Sequence, residues 1–298
     1  MNRLLLVDGH NLLFRMFYGM PDNYRTSSGV PCHAVVGFGR AVANAIADLS
    51  PTRMLVLFDT EECGDRRSLD TDYKANRPDY SALAPEECPF TQLPAIYALL
   101  EEMTIPYVRV RGCEADDCIA AYALSPDPNE EVLILSTDRD YWQLVSPRVS
   151  AVVYQGGGCT LVDEAAVLSK LGVTPRQVAD FKCLVGDASD NIAGVPGVGP
   201  KTAARLLAAH GTLEGIAAHV DELRPAIREA FLASGERLKL NRRLILLDGS
   251  APLPLPREAL TLRARRFRNL TAMALSAAER TVGMAEDGDD EDEDVLPF

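Results

Sequence analysis

The sequence predicts an α/β fold, a mostly parallel sheet flanked by helices. Three observations predict it. Residues 4–7, 54–58 and 132–135 are continuously apolar and rich in branched side chains. Strands buried on both faces read this way, whereas strands with one wet face alternate. Segments of helical period lie between these runs, which is the βαβ order. Each run also leads to acids: Asp8, Asp59 and, after Ser136-Thr137, Asp138 and Asp140. In an open parallel sheet the carboxyl ends of the strands line one crevice, so these acids should meet there.

The elements follow in order. The first strand gives way to Gly9-His10-Asn11 and an apolar stretch to Tyr18. Residues 33–49 have the spacing of an amphipathic helix, and Ser50-Pro51 stops it before the second strand. Residues 60–90 are charged, contain three prolines and carry no core period. A segment of that length in a compact domain is usually functional or disordered. Residues 91–103 return to helix, and residues 106–110 read as a third strand. Then Gly112-Cys113 turns the chain into a helix that opens with Glu114-Ala115-Asp116-Asp117. On helical spacing Glu114 and Asp117 share a face and Asp116 points to a neighbouring one. One acid at a helix N-terminus needs no explanation beyond the dipole. Three in four residues repel one another unless a cation lies among them. Residues 152–162, around Gly156-Gly157-Gly158, read as an edge hairpin.

With Asp187 and Asp190, the acids expected at the crevice number nine. Oxygen ligands, with no His or Cys at ligand spacing, point to Mg²⁺ with Mn²⁺ as a substitute. The second landmark is Gly194-Val195-Pro196-Gly197-Val198-Gly199-Pro200-Lys201-Thr202. The glycines let backbone amides approach a phosphate, and the helix that starts at Pro200 favours an anion at its N-terminus. The plain alternative is an ordinary helix–helix turn.

The chain has 298 residues, 47% of them apolar, room for one large domain or two modest ones. The N-terminus lacks the layout of a signal peptide, no apolar run is long enough to span a membrane, and the seven scattered cysteines include no CxxC. A cytoplasmic protein with reduced thiols is expected. The net charge of −13 argues at first against nucleic acid, yet residues 286–294 carry eight of the acids and the charge is −5 without them.

Read in order, Asp8-Gly9-His10-Asn11, Phe58-Asp59, Tyr73-Lys74-Ala75-Asn76-Arg77, Glu114-Ala115-Asp116-Asp117, Ser136-Thr137-Asp138-Arg139-Asp140 and Gly186-Asp187 through Lys201 form a set. It resembles the 5′→3′ exonuclease or flap endonuclease family, the bacterial and phage enzymes similar to the N-terminal nuclease domain of bacterial DNA polymerase I. The resemblance covers about residues 1–250. It implies a PIN-like core over 1–175 with a helical arch at 60–90, and a helix-three-turn-helix duplex-binding region over 176–250. A basic helical extension at 251–284 and a disordered acidic tail at 285–298 complete the expected layout.

The resemblance assigns roles position by position. Asp8, Asp59, Glu114 and Asp116 match a first metal group with Asp138 close by, Asp140, Asp187 and Asp190 match a second, and Asp117 is the remaining acid. Lys74 and Arg77 match the arch's basic pair at the scissile phosphate. Gly194, Val195 and Val198 fall where backbone carbonyls hold K⁺, although relatives often carry Ser where Gly194 offers no hydroxyl. Arg15, Tyr73, Gly197, Gly199, Lys201 and Thr202 are assigned to DNA. Phe14 and Tyr18 could stack on an unpaired base, but core packing is the expected place for both.

The implied partners are DNA with 5′ flaps, nicks, branches or 5′ ends, and RNA–DNA hybrids, bound by a monomer. Two rival readings are a PIN-type ribonuclease, which would lack the arch and the glycine hairpin, and a non-catalytic branched-DNA-binding protein, which would be expected to have lost carboxylates. The acidic tail, ending Val295-Leu296-Pro297-Phe298, resembles the tails of single-stranded DNA-binding proteins and is expected to dock a replication protein.

Overall fold

Among the described residues the chain runs β1 (Asn2–Asp8), α1 (Gly9–Gly19), α2 (His33–Leu49), β2 (Arg53–Asp59), α3 (Asp65–Leu69), α4 (Leu93–Met103) and β3 (Tyr107–Val110). It continues through α5 (Ala115–Leu124), β4 (Glu130–Leu135), β5 (Val149–Gln155), β6 (Gly158–Val162), α6 (Glu164–Leu171), α7 (Val178–Val185), β7 (Gly186–Asp187) and β8 (Ile192–Ala193). Then come α8 (Pro200–His210), α9 (Leu213–Ala218), α10 (Pro225–Ala233), α11 (Gly235–Ile245) and α12 (Leu270–Asp287). This computed structural model describes residues 2–60, 65–125, 127–263, 267 and 269–287. It divides into two units, Met1–Leu12, Asn44–Asp79 and Pro106–Ala264 in one, and Leu13–Ala43, Tyr80–Ile105 and Arg265–Phe298 in the other.

The first unit holds a six-stranded sheet in the order β3-β2-β1-β4-β5-β6. β1 to β5 run parallel, and only β6 is antiparallel, paired with β5 across the glycine turn expected for an edge hairpin. The apolar runs are strands because both faces are covered: Leu4, Leu5, Leu6, Val7, Met54, Leu55 and Val56 are fully buried. From β1 the chain builds outward to β2 and β3 on one side and to β4 and β5 on the other. The order reverses between β1 and β4, and a crevice opens there beyond the strand ends. Asp8 ends β1, Asp59 ends β2, and Ser136 to Asp138 follow β4, so topology alone delivers the acids to one place.

The same unit carries a second core formed by α7, α8, α9 and α11, in which Val178, Leu184, Leu207 and Ile216 are buried. Asn241 of α11 is fully buried, and its amide nitrogen donates to the carbonyls of Cys183 at 3.2 Å and Ala193 at 2.8 Å. It ties α7 and β8 to α11, with the glycine hairpin between β8 and α8.

In the second unit α4 packs along α12. Gly39 permits close packing within this unit, since a Cβ there would lie 2.9 Å from Leu99 and 3.6 Å from Leu270. Phe14 is half-buried and meets the edges of Tyr80 and Phe90 at centroid distances of 5.2 and 5.4 Å. The expectation of core packing fails for Tyr18, which is 64% exposed. It packs one side of its ring against Phe17 and Phe14, at centroid distances of 5.2 and 6.3 Å, and leaves the rest to solvent.

Within residues 60–90 the described part contains the short α3, a series of turns and two brief 3₁₀ segments, with no long helix. α12 runs to Asp287, two acids into the run where disorder was expected. Residues 288–298, including the apolar end of the tail, lie outside the described residues.

Candidate metal centre and nucleic-acid interface

Four carboxylates gather in one place, two of them on one phenol. The hydroxyl of Tyr141 lies 2.5 Å from Asp116 Oδ1 and 3.2 Å from Asp8 Oδ2. Asp8 also accepts from the Asn11 amide and from Ser136 Oγ, each at 3.0 Å. Asp59 accepts from the Ala115 amide at 2.7 Å, which fixes the end of β2 against the start of α5, and lies 3.4 Å from His10 Nδ1. Asp138 caps its own turn by accepting from the Asp140 amide at 2.8 Å.

A phenol has one proton and cannot donate to two carboxylates at once. It donates to one of them and accepts from the other when that acid is protonated. Electrostatics agree. Burial, then the charges of Asp59 and Asp138, push Asp8 up to about 6. Burial and the neighbouring Asp8, Asp59 and Asp138 push Asp116 well above the usual carboxylate range. Burial also raises Asp138, with Asp190 and Asp187 adding to it against Lys182. Asp59 goes the other way: burial opposes ionisation, but the hydrogen bonds from His10 and Ala115 outweigh it. Crowded acids of raised pKa mark a place built for positive charge.

A second group adjoins the first. Carboxylate oxygens of Asp140, Asp187 and Asp190 lie within 4.8 Å of one another. The Lys182 ammonium sits among them, donating to Asp187 at 2.6 Å and in contact with Asp140. Burial would raise Asp187, but Lys182 and Ser189 hold it below the usual range. Beside this group a cavity of about 500 Å³ is lined by Asn11, Thr137, Arg139, Phe181, Lys182 and Ser189 among others.

The acidic motif divides its labour. Glu114 and Asp117 do share a face, and the cation between them is Arg66, 2.5 Å from Glu114 and 2.6 Å from Asp117. Asp117 also accepts from the Asp248 amide at 2.8 Å, which fastens the segment after α11 to α5. Asp117 therefore faces Arg66 and the chain after α11, while Asp116 faces the other carboxylates.

Lys74 has a left-handed backbone, φ +57°, held by its amide donating to the Asp190 carbonyl at 3.0 Å. Its ammonium lies 3.5 Å from Glu114 and 4.7 Å from the centre of the Tyr73 ring. Arg77 donates to Asp190 at 2.9 Å. Tyr73, assigned to DNA, is only 4% exposed. Its ring fills the core and carries the lysine on its face, so it is not offered to a base.

In the hairpin, Gly186 and Gly194 cross at closest approach. A Cβ on Gly194 would lie 2.3 Å from the Val185 carbonyl carbon and 2.5 Å from Leu184 O, so only glycine fits. The Val195 amide donates to Leu184 O at 2.8 Å and the Val198 amide to Val195 O at 3.0 Å. Gly197 needs its positive φ of +78°, and Gly199 is the residue before α8. Lys201 is exposed and Thr202 half-exposed in the first turn of α8. Arg15 lies half-buried in α1, in the second unit.

Arg66, Tyr141 and Lys182 were not among the expected site residues. Tyr141 directly follows Asp140, and Lys182 precedes Asp187 by little more than one helical turn. Those positions were the available signal.

Comparison with known proteins places this geometry. Residues 3–172 match the 5'-3' exonuclease, N-terminal resolvase-like domain, and residues 173–268 match the 5'-3' exonuclease, C-terminal SAM fold. The thermostable DNA polymerase I of Thermus thermophilus is 37% identical over 252 residues, 84% of this chain and 29% of that protein. DNA polymerase I of Rhizobium leguminosarum is 35% identical over 270 residues, 88% of this chain and 26% of that protein. The chain thus spans under a third of the length of these relatives. Bacteriophage T5 flap endonuclease, solved as a pseudo-enzyme-product complex with DNA and metal ions, superposes with a TM-score of 0.65 at 26% identity, over 83% of this chain and 89% of that one. The order of strands, the acids at their ends and the match across residues 3–172 lead to one conclusion: the chain belongs to the 5'-3' exonuclease family.

Proposed function

We propose that this chain is a divalent-metal-dependent, structure-specific 5′ nuclease that hydrolyses phosphodiester bonds in DNA, both from 5′ ends and at 5′ flaps. One observation carries the reading: Asp8, Asp59 and Asp138 converge on Asp116, two of these acids share Tyr141, and the triad Asp140, Asp187 and Asp190 lies beside them. The donor set fits the proposed ions, since every side chain offered is a carboxylate. Asp8, Asp59, Glu114, Asp116 and Asp138 would hold one ion and Asp140, Asp187 and Asp190 a second. Ions held there would supply charge stabilisation for the oxygens of the scissile phosphodiester and would lower the pKa of a water.

The chain's own groups do the rest. Lys74 and Arg77 neutralise charge that develops on the phosphate. Tyr141 holds Asp8 and Asp116 at a fixed separation, and Arg66 holds Glu114 directly while its other nitrogen is anchored on Asp117. The amides of Gly197 and Gly199 and the N-terminus of α8 take a phosphate of the duplex without reading bases. Carbonyls of Gly194, Val195 and Val198 are the proposed K⁺ ligands. RNA 5′ ends enter as substrates of the same site, and the acidic tail as a contact for a replication protein, with binding lost on deletion of residues 286–298.

The test is cleavage of a 5′-labelled flap and of a nicked duplex, with DNA or RNA 5′ strands, with and without EDTA. Cleavage that EDTA abolishes and Mg²⁺ restores is expected. Cleavage of single-stranded RNA alone would favour a ribonuclease, and binding without cleavage a non-catalytic role. For the hairpin, Lys201→Ala is expected to weaken duplex binding uniformly across sequences. It should also lower the slope of log affinity against log salt by about 1, as one lost phosphate contact requires. A titration series between low and moderate salt checks both.

A further inference from the structure

Two cysteines bracket the acidic motif at the start of α5. Cys113 occupies the turn after Gly112, and Cys118 lies within α5, with Glu114, Asp116 and Asp117 between them. Their sulfurs are 3.3 Å apart. Cys113 is half-buried, whereas Cys118 is 1% exposed and lies 3.6 Å from the Pro252 carbonyl oxygen. The proposed metal centre uses oxygen donors and leaves both thiols without a part in the chemistry. Cys118 lies in the apolar cluster that covers α5 and Cys113 packs against it, so both fill space there. A pair of small apolar residues would fill the same space without placing two nucleophiles in contact.

We propose that Cys113 and Cys118 are a reversible oxidation site, closed to a disulfide by a hydroperoxide, and that closure throttles the adjoining carboxylate cluster. The thiol of Cys113, the more exposed of the two residues, takes one oxygen from the hydroperoxide, giving a sulfenic acid and releasing the alcohol, or water when the oxidant is hydrogen peroxide. The Cys118 sulfur then attacks that sulfur. The S–S bond forms, the S–O bond breaks, and the hydroxyl leaves as water with the proton of the Cys118 thiol. Two electrons pass from the thiols to the peroxide. A dithiol reverses the step by exchange.

A disulfide is about 2.05 Å long, so closure draws the sulfurs together by roughly 1.3 Å. The segment that must absorb this is residues 113–118. It carries Glu114, with its contacts to Arg66 and Lys74, and Ala115, whose amide holds Asp59. A displacement of about 1 Å at a reacting centre can cost on the order of 100-fold in rate. Transient, sensing disulfides of this kind are the sort found in reducing compartments.

The throttling arm rests on the proposed nuclease activity; the disulfide itself does not. The test treats the full chain with stoichiometric hydrogen peroxide, then measures intact mass, the cross-linked peptide after digestion under non-reducing conditions, and flap cleavage. Expected are a mass loss of about 2 Da per chain, as two thiol hydrogens leave, and a peptide joining Cys113 to Cys118. Cleavage should fall about tenfold or more and recover with dithiothreitol. Cys113→Ser should cleave like the parent and resist the inhibition. Because Cys118 is buried, Cys113→Ser is the deciding variant and Cys118→Ala the second. Absence of the cross-linked peptide overturns the site, whatever the nuclease assay gives. A cross-linked chain that cleaves at the full rate overturns the throttle, as does equal inhibition of Cys113→Ser. A chain inactive before oxidation counts against the nuclease reading, and the peptide map still decides the disulfide.

Discussion

An Asp116→Asn chain is expected to lose DNA cleavage and keep DNA binding. Asp116 is the most crowded acid of the site: buried, against Tyr141, and raised by the charges of Asp8, Asp59 and Asp138. An amide keeps the shape and still accepts from the Tyr141 hydroxyl, so the fold is preserved. What it loses is the negative charge that draws a cation. Loss of the metal's several kcal/mol of transition-state stabilisation corresponds to a fall of about 10³-fold or more in single-turnover rate. Asp8→Asn should behave alike. DNA affinity in EDTA should hold or rise, because the amide never presents a negative charge to the phosphates. Wild-type turnover by either variant would remove these acids from the centre.

The Asp8→Asn substitution carries a stability signature with a definite sign. An acid whose folded pKa is raised favours the fold in its neutral form. Its contribution is fully present below the ordinary carboxylate value of 3.8 and is lost as pH rises through the folded value, about 6 for Asp8. The metal-free parent should therefore lose stability between about pH 4 and pH 7. Metal-free Asp8→Asn escapes its share of that loss. It should melt higher than the parent at pH 8, with the gap closing toward pH 4. A gain of 1 kcal/mol would show as roughly 2–4 °C in a chain of this size. Thermal melts in EDTA across this range measure it, and adding Mg²⁺ should raise the parent's midpoint far more than the variant's.

Much of this site could be read before the fold was known, for a physical reason. Parallel strands buried on both faces must be continuously apolar, and the chain must turn at their ends, where polar groups return. Asp8 and Asp59 could therefore be placed from pattern alone. The glycine hairpin was legible for a similar reason, because Gly194 and Gly197 each meet a backbone demand that another residue would violate. Partner choice was not legible. Spacing put Glu114 and Asp117 on one face, but nothing local says that the cation on that face is Arg66, 48 residues away from Glu114 in sequence. Nor does local sequence say that Tyr141 bridges acids from β1 and α5. Long-range contacts are set by how the elements pack. For the same reason Tyr73, which its motif assigns to DNA, is a core residue in the fold, with Lys74 laid over it.

Lys74→Ala is expected to cut the cleavage rate by about 10²- to 10³-fold, the usual cost of removing one preorganised charge from a transition state, while duplex affinity stays near that of the parent. Its position argues for this split. The Lys74 ammonium lies beside Glu114 and influences Asp59, Asp116 and Asp138, so it belongs to the acidic cluster rather than to the α8 hairpin that takes the duplex. Its left-handed backbone is pinned by the Asp190 carbonyl, and that hydrogen bond survives any side chain. Alanine removes the charge without releasing the loop. A group that acts mainly as charge develops lowers kcat and leaves ground-state binding alone. Lys201→Ala should give the opposite pattern, weaker binding with a near-normal single-turnover rate at saturation. Lys74→Arg, which keeps the charge on a broader head, should recover part of the rate if charge is what matters. Single-turnover rates under saturating enzyme, set beside binding isotherms in EDTA, separate the two effects. An unchanged rate for Lys74→Ala would remove this lysine from the reaction, and a loss of affinity equal to the loss of rate would move it to the binding surface.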